Sequence, residues 1–347
     1  MNFITPPRPV DVTALFPRLA PLARTTTRLH PRPGAPGVHD SSVGGPLLWP
    51  ADEPWPQCAQ MHDSEAVDRL LSPDDIRVLR RDLAAATERL RVNPGAPEVT
   101  PEERENWERI KPGRPWFDGP IDLIPVAQLF ARDAPIPCPP GMDLLQVLWC
   151  PFDHEEEAHP RTVLVWRSST TIGDILAIPP QPPVVQSEYY LPEPCLFSPE
   201  QVTEFPHPSE LDEDLADELN DTSRWESVDP ALYSGYAYDP QELYLNNLCT
   251  APGWKIGGWT RWSSGDPVDR PCPECGVEEV PLLTIASSEW DRGSKTWIAE
   301  ERSMATMSPS LGNRGGNFTL LDITGGNNLQ LHVCPHNPAH PHITLLQ

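Results

Sequence analysis

Proline is the residue type that most constrains what this chain can fold into. It occupies 46 of the 347 positions, more than twice its usual share of about 5 %. A proline inside a helix removes a hydrogen bond and clashes with the preceding turn, which costs about 3 kcal/mol or more. Long helical bundles are therefore excluded. We expect short strands and loops, with 12 tryptophans to supply bulky core side chains.

The charge of the chain restricts its partners. The formal net charge is −24, whereas nucleic-acid binding needs a basic surface. An acidic surface suits a basic protein partner. No apolar run approaches the ~20 residues of a membrane span, and residues 1–7 lack the features of a secretory signal. We therefore expect a cytoplasmic protein that binds neither nucleic acid nor membrane, and its oligomeric state is not predicted.

Local patterns predict several helices and strands. Ser72 and Thr100 are each followed by proline and two acidic residues, as at capped helix N-termini. Leucines four residues apart predict an acidic amphipathic helix over 209–220, and a further short helix is predicted over 16–29. Short apolar runs bounded by turn residues predict strands at 123–130, 143–149, 162–166, 280–285, 318–323 and 329–333.

Four sequence blocks occur twice in the same order. The first is a Gly-Gly pair followed at fixed spacing by tryptophan: Gly44, Gly45 and Trp49, then Gly257, Gly258 and Trp262. A proline-rich acidic loop follows each, ending at Cys58 or Cys272, and then two apolar runs, the second of which ends at Cys150 or Cys334. The pattern predicts an internal duplication. The expected fold class is α+β and mainly β, with a duplicated antiparallel β-sheet unit, a helical insertion in the first copy and zinc-knuckle-type loops.

This organisation gives four segments. They are a Pro/Arg-rich N-terminal segment at 1–43, a first β repeat at 44–180 with its helical insertion at 63–118, an acidic Pro-rich connector at 181–251, and a second β repeat at 252–347. Glycine pairs permit positive φ angles and close approach of a neighbouring group. We interpret both Gly-Gly-Trp elements as structural packing corners, with ligand-contacting turns as the alternative.

The second repeat contains a candidate zinc knuckle. Cys272 and Cys275 have the C-x2-C spacing that lets two thiolates reach one tetrahedral ion, and Gly276 permits the tight turn. Cys334, at the end of a predicted strand, is the expected third ligand. His340 is the expected fourth, with His336 as the alternative. Free thiols remain an open interpretation, while a redox motif lacks the helix N-terminus that would activate its thiol.

The first repeat offers a second possible set at the equivalent corners. Cys58 and His62 are four residues apart, and so are Cys150 and His154. Two thiolates and two imidazoles are an ordinary zinc ligand set. The alternative is a Cys150 buried behind a sheet and a His154 in a solvated loop. Both sets would be closed, so any zinc in them would be structural. We expect one zinc site, with the second possible.

These motifs together resemble a known family. The Gly-Gly-x-x-x-Trp-Pro element, the strand at 125–129, the run 143–146 and the Lys255–Gly258 element with its knuckle are similar to the YwqG-like family, domain of unknown function 1963. The resemblance covers most of the chain from about Gly44, without the helical insertion and the acidic connector. It implies a mainly β, α+β fold and carries no catalytic residue. A weaker likeness reaches the programmed cell death protein 2 type, which pairs a Gly-Gly element with zinc-binding cysteine pairs and escorts a basic ribosomal protein.

The sequence contains no P-loop, dinucleotide-binding, nucleophile-elbow or HExxH motif, so we assign no catalytic residue and lean away from an enzyme. The leading hypothesis is a zinc-stabilised protein-binding module with a basic partner. One alternative is a metal-dependent hydrolase centred on the 153–159 loop, with Asp153, His154, Glu155 and His159. The other is a small-molecule binder whose cleft between the repeats is lined by Trp49 and Trp262.

Overall fold

The computed structural model describes residues 3–60, 62, 67, 69–154, 158–229, 232, 240–263, 266–291, 293–300 and 316–347. Over these residues the chain forms two six-stranded sheets and one two-stranded sheet, with helices between the strands. Every strand pair in the two large sheets is antiparallel. The predicted class, α+β and mainly β, is confirmed.

The helices are short apart from one. They are α1 Val12–Leu15, α2 Pro73–Val92, α3 Pro101–Ile110, α4 Glu213–Asn220 and α5 Pro240–Asn247. The predicted starts of α2 and α3 are confirmed, because Ser72 and Thr100 each form a capping box with the acid three residues later. In the described part of the chain, no helix is both long and apolar enough to cross a membrane.

The strands up to the middle of the chain are β1 Arg24–Arg28, β2 Arg32–Pro33, β3 Ser42–Val43, β4 Gln57–Cys58, β5 Ile121–Asp122, β6 Ile124–Phe130, β7 Leu144–Asp153 and β8 Pro160–Arg167. Those that follow are β9 Cys195–Leu196, β10 Glu200–Glu204, β11 Lys255–Gly257, β12 Val280–Ala286, β13 Asn328–Val333 and β14 Ile343–Leu346. The first sheet has the order β2-β9-β3-β6-β7-β8, and the second sheet has the order β10-β1-β11-β12-β13-β14. Strands β4 and β5 pair separately.

Two chain segments cross from one large sheet to the other. Strand β1 pairs with β10 in the second sheet, and β2, which follows it, pairs with β9 in the first sheet. Residues 24–33 and 195–204 therefore run antiparallel to each other through both sheets. The N-terminal segment and the acidic connector thus contribute strands to both sheets. The segment boundaries at 43, 180 and 251 stay predictions.

The two large sheets share several details. The β6–β7 ladder shifts register between Pro125 and Ala127, and the β12–β13 ladder shifts between Pro281 and Leu283. A central glutamine of each sheet donates its side-chain amide to the backbone carbonyl that precedes the buried tryptophan, as Gln146 does to Leu48 and Gln330 does to Arg261. The arrangement is alike in both sheets, while duplication as its origin stays a prediction.

One hydrophobic cluster contains residues of both sheets. Val126, Leu145 and Val147 of the first sheet belong to the same buried cluster as Ile285, Leu329 and Leu331 of the second. A separate cluster holds the buried leucines of α4 together with Phe16 and Trp225. The apolar face of the acidic helix is therefore covered by its own chain, and its acidic residues face outward.

Two predictions of secondary structure are wrong. The helix expected over 16–29 is replaced by a 3-10 helix at Pro17–Leu22 and then by β1. The reason is that Pro21 interrupts helical hydrogen bonding, and the three β-branched threonines that follow favour an extended backbone. The strand expected at 318–323 is not formed, and its last residue, Ile323, makes only a single bridge to Asn327. The positive φ of Leu320, 55°, interrupts an extended conformation there.

Candidate metal centres

The first cluster, which we call centre 1, consists of Cys58, His62, Cys150 and His154. One ligand atom from each of the four lies within 4.8 Å of every other. His62 Nε2 is 3.2 Å from Cys150 Sγ and 3.7 Å from Cys58 Sγ, and His154 Nε2 is 3.9 Å from Cys58 Sγ. The described geometry thus brings together the four residues that the C-x3-H spacing singled out, and this group can hold a metal ion.

Centre 1 is positioned by three strands. Cys58 ends β4, which is held by pairing with Ile121 of β5. Cys150 lies within β7, and His154 follows the last residue of that strand and accepts a hydrogen bond from the Ala158 N–H at its carbonyl. A buried apolar cluster that includes Trp49, Leu148 and Phe152 surrounds the two sulfurs. Water is therefore largely excluded from one side of this group.

The two thiols of centre 1 perturb each other. The hydrogen bond with Cys150 lowers the pKa of the Cys58 thiol, and the imidazoles of His154 and His62 lower it further. The same hydrogen bond with Cys58 raises the pKa of Cys150, and burial raises it more. The two sulfurs therefore share one proton, with Cys58 as the thiolate and Cys150 as the thiol. A cation that binds both sulfurs would displace this proton to solvent, because metal ions bind the thiolate.

The second cluster, which we call centre 2, consists of Cys272, Cys275, Cys334 and His340, and its four ligand atoms also lie within 4.8 Å of one another. Cys272 Sγ is 3.3 Å from His340 Nδ1, and Cys275 Sγ is 3.5 Å from Cys334 Sγ. The latter separation exceeds the ~2.05 Å of a disulfide, so these are thiols. His340 belongs to the group, and His336 is exposed outside it.

Centre 2 is built on a tight knuckle and a strand end. The Gly276 N–H donates to the Cys272 carbonyl, and the Cys272 N–H donates to the Val277 carbonyl. Gly276 has a φ of 72°, a conformation that favours glycine. Cys334 comes directly after β13, the counterpart of β7 in strand order. Each centre therefore brings together the loop after a Gly-Gly-Trp element and the C-terminal part of the fifth strand of its sheet, which is β7 in the first sheet and β13 in the second.

The Gly-Gly-Trp elements are close-packed corners. Trp49 is 2 % exposed and Trp262 is 4 % exposed, so these side chains do not form the walls of an open cleft. A Cβ on Gly44 would lie 2.9 Å from the Pro192 carbonyl oxygen, and one on Gly258 would lie 2.2 Å from a carboxylate oxygen of Glu204. Both glycines also have positive φ. Glycine is needed there for packing.

The described polar side chains of the 153–159 loop all contact other polar groups of the protein. The Asp153 carboxylate accepts hydrogen bonds from the Tyr190 hydroxyl at 2.7 Å and from the Gln186 amide at 2.7 Å. His159 Nδ1 faces the Pro160 carbonyl at 3.0 Å, and His154 belongs to centre 1. Glu155, the remaining member of the predicted hydrolase set, lies outside the described residues.

Gln186 and Tyr190 are two positioning residues that sequence reasoning missed. They hold Asp153, the residue directly before the candidate ligand His154, and the ring centroids of Tyr190 and Trp149 are 5.9 Å apart. Both lie more than 30 residues from Asp153 along the chain. No local spacing links them, and only the packing of the 185–190 segment against β7 reveals their role.

An open cleft lies beside centre 1, with a volume of about 630 Å³. It is lined by segments from both halves of the chain, among them Arg69, Tyr189 and Thr324. Neither predicted tryptophan lines it. No protein-family model matches this chain, and no curated protein matches its sequence.

Proposed function

We propose that this protein is a zinc-stabilised protein-binding module that engages a basic protein partner. The observation that carries the proposal is that two Cys/His groups each supply four convergent ligand atoms at equivalent places of two similar sheets. Thiolate and imidazole ligands favour zinc over magnesium or calcium, which prefer oxygen. The resemblance to the YwqG-like family is part of the same proposal.

The ligand separations support a tetrahedral ion. With Zn–S near 2.3 Å and Zn–N near 2.05 Å, a tetrahedron has S···N edges of about 3.5 Å and S···S edges of about 3.8 Å. Four of the S···N separations in the two centres run from 3.2 to 3.9 Å, and the Cys275–Cys334 S···S separation is 3.5 Å. The remaining ligand atoms of each centre lie within 4.8 Å of one another. These five separations match the tetrahedral edges to within about 0.4 Å.

Each centre would be structural. Four protein ligands complete a tetrahedron, and a catalytic zinc keeps one position for water or substrate. In centre 1 the ion would tie β4 to the end of β7, and in centre 2 it would tie the knuckle to the end of β13. Thiols that lie close together without bonding suit a reducing compartment, so we infer that the protein works in the cytoplasm.

Surface charge supports the choice of a basic partner. The net charge of −24 is spread over a chain with 50 acidic and 26 basic residues. Helix α4 exposes Glu213, Asp214 and Asp217 while its two leucines are buried. A partner would therefore meet the charged face of α4, and electrostatic attraction would mainly raise the association rate and confer salt dependence.

The alternative functions have weaker support. Hydrolysis at the 153–159 loop needs an open metal position and a free carboxylate. The geometry instead uses His154 in a four-ligand group and engages both Asp153 oxygens in hydrogen bonds. The cleft beside centre 1 has no lining tryptophan, so the small-molecule hypothesis loses the residues on which it depended.

The metal part of the proposal is tested by elemental analysis of protein purified without added metal. We expect about two zinc ions per chain for the wild type, one for His154→Ala and one for His340→Ala. His336→Ala is the matched control, because His336 lies in the same loop outside the group, and it should retain both ions. A wild-type protein free of zinc would refute the proposal.

The partner part is tested by affinity capture at low and high ionic strength. The variant Glu213→Gln/Asp214→Asn/Asp217→Asn removes three exposed charges from α4. Glu102→Gln/Glu105→Gln/Glu108→Gln removes the same charge from the exposed face of α3. We expect the captured proteins to be enriched in basic chains and to dissociate at high salt. The α4 variant should capture less protein than the wild type, whereas the α3 variant should capture as much. Capture of proteins with the same charge distribution as the lysate would contradict this.

A further inference from the structure

The two centres differ in how far their sulfurs are shielded. All eight cysteines lie in the described part of the chain, and Cys275 is the exposed one among them. Cys58 and Cys150 of centre 1 are both buried, as are Cys272 and Cys334 of centre 2. A reagent dissolved in water therefore reaches a sulfur of centre 2 before any sulfur of centre 1.

The two centres also differ in formal charge when a divalent cation is bound. Metal-coordinated thiols are deprotonated, so two thiolates and two imidazoles leave centre 1 neutral. Three thiolates and one imidazole leave centre 2 with a charge of −1. The third thiolate shares the same cation, so each sulfur of centre 2 keeps more electron density and is the better nucleophile. Exposure and charge both favour reaction at Cys275.

A second sulfur is in place to complete an oxidation. Cys334 Sγ is 3.5 Å from Cys275 Sγ, and a disulfide needs about 2.05 Å. A side-chain movement of about 1.5 Å brings the two sulfurs to bonding distance. The two sulfurs of centre 1 also lie in hydrogen-bond contact, but both are buried, so a dissolved oxidant reaches the sulfur pair of centre 2 first.

We propose that Cys275 and Cys334 are an oxidation-sensitive pair that hydrogen peroxide converts to a disulfide, with release of the zinc of centre 2. The inference rests on the proposed zinc content. The Cys275 thiolate attacks one peroxide oxygen, the O–O bond breaks, and sulfenic acid and hydroxide form. The Cys334 thiolate then attacks the Cys275 sulfur, the S–S bond forms, and a second hydroxide leaves. Two electrons pass from the sulfurs to peroxide.

The modification acts on a contact between the two large sheets. Loss of two ligands leaves Cys272 and His340 as the only ligands, which cannot retain the ion. The loop that carries His340 also touches β8 of the first sheet, where Trp166 Nε1 donates to the Pro338 carbonyl at 3.0 Å. His342 Nε2 and Thr162 Oγ1 are 2.7 Å apart. Oxidation of centre 2 therefore loosens the junction of β14 with β8.

The experiment uses the full chain with its zinc. Zinc release is followed with a chromogenic chelator after hydrogen peroxide is added, and the cysteines are mapped by alkylation and mass spectrometry. We expect one of two ions to leave at least about tenfold faster than the other. A Cys275–Cys334 cross-linked peptide should appear while Cys58 and Cys150 stay reduced. This peptide map is measured on the wild-type protein, so it does not depend on whether a variant folds.

Cys275→His is the matched variant, because it gives centre 2 the same two-cysteine, two-histidine composition as centre 1. We expect it to bind two zinc ions and to lose the fast release phase. Equal release from both centres, or a first disulfide in centre 1, would overturn the inference while the ion count upholds the proposed function. A wild-type ion count of zero would overturn both.

Discussion

The buried ion pair between Lys255 and Glu204 gives a sharp prediction about stability. Both side chains are 0 % exposed. Lys255 Nζ donates to the two Glu204 oxygens at 2.7 and 2.9 Å and to the Trp259 carbonyl at 2.8 Å. The carboxylate also accepts the N–H groups of Ala251 and Trp259, each at 2.8 Å. Every polar group of the pair is satisfied inside the protein.

Lys255→Met removes the charged ammonium group and keeps an unbranched apolar side chain of otherwise similar length. The variant leaves a buried carboxylate with two backbone donors and no cation. Breaking a buried pair in this way costs about 3–5 kcal/mol of the free energy of unfolding. Arg91→Met is the control, because Arg91 and Glu88 form an exposed pair at 2.6 Å, and exposed pairs contribute about 0–1 kcal/mol.

The assay is urea unfolding at pH 7 of the wild type, Lys255→Met, Glu204→Gln and the double variant. The double variant removes both charges and keeps a carbonyl oxygen as an acceptor for a backbone N–H, so we expect it to be more stable than Lys255→Met. The coupling energy should exceed about 2 kcal/mol. If Lys255→Met lies within 1 kcal/mol of the wild type, or if the two substitutions are additive, the reasoning is refuted.

Three other outcomes are expected. Gly258→Ala should destabilise the protein more than Gly257→Ala in urea unfolding, because both have positive φ but only the Cβ at 258 meets a neighbour, Glu204 Oε2 at 2.2 Å; equal losses would contradict this. Arg114 lowers the pKa of Asp75 to about 2, so Asp75→Asn should cost about 1 kcal/mol at pH 7, given the half-exposed Arg114. That deficit should shrink as the pH falls below about 4 and vanish below about pH 2, where Asp75 is protonated in the folded and the unfolded protein, and a deficit independent of pH would contradict it. Tyr190→Phe leaves an oxygen of Asp153 without its 2.7 Å donor and should lower the midpoint of thermal unfolding; an unchanged midpoint would contradict this.

The two Cys/His clusters were predictable because the spacing of their residues is local in sequence. Each centre is made of two pairs, and each pair lies within seven consecutive residues. The matched blocks then indicated which pairs meet, as Cys334 with Cys272 and Cys150 with Cys58. The choice between His340 and His336 depended on the path of one loop. Sequence reasoning favoured the histidine that the structure places in the group.

The strands of the two segments that cross between the large sheets, residues 24–33 and 195–204, were not predictable from hydrophobic patterns. Strand β1 reads Arg-Thr-Thr-Thr-Arg and its partner β10 reads Glu-Gln-Val-Thr-Glu, so neither shows an apolar alternation. Their burial depends on polar contacts made elsewhere in the chain, such as Arg28 to the Trp297 carbonyl and Glu204 to Lys255. Strands β2, β3 and β9 have two residues each, which is too short for any period to appear.

The proposed zinc content of the two similarly placed centres would account for how the first sheet accommodates two helices between its candidate ligand pairs. Helices α2 and α3 lie between the two ligand pairs of centre 1, so His62 and Cys150 are 88 residues apart, whereas Cys275 and Cys334 are 59 apart. The entropy of closing a loop grows only with the logarithm of its length. The longer loop therefore costs centre 1 about 0.4 kcal/mol more than centre 2. A structural zinc site contributes roughly 10–16 kcal/mol in small zinc-finger peptides. In the proposed zinc-bound protein, an excursion of this length would remove only a small part of what the metal contributes, because the chain leaves and re-enters at Cys58 and Cys150.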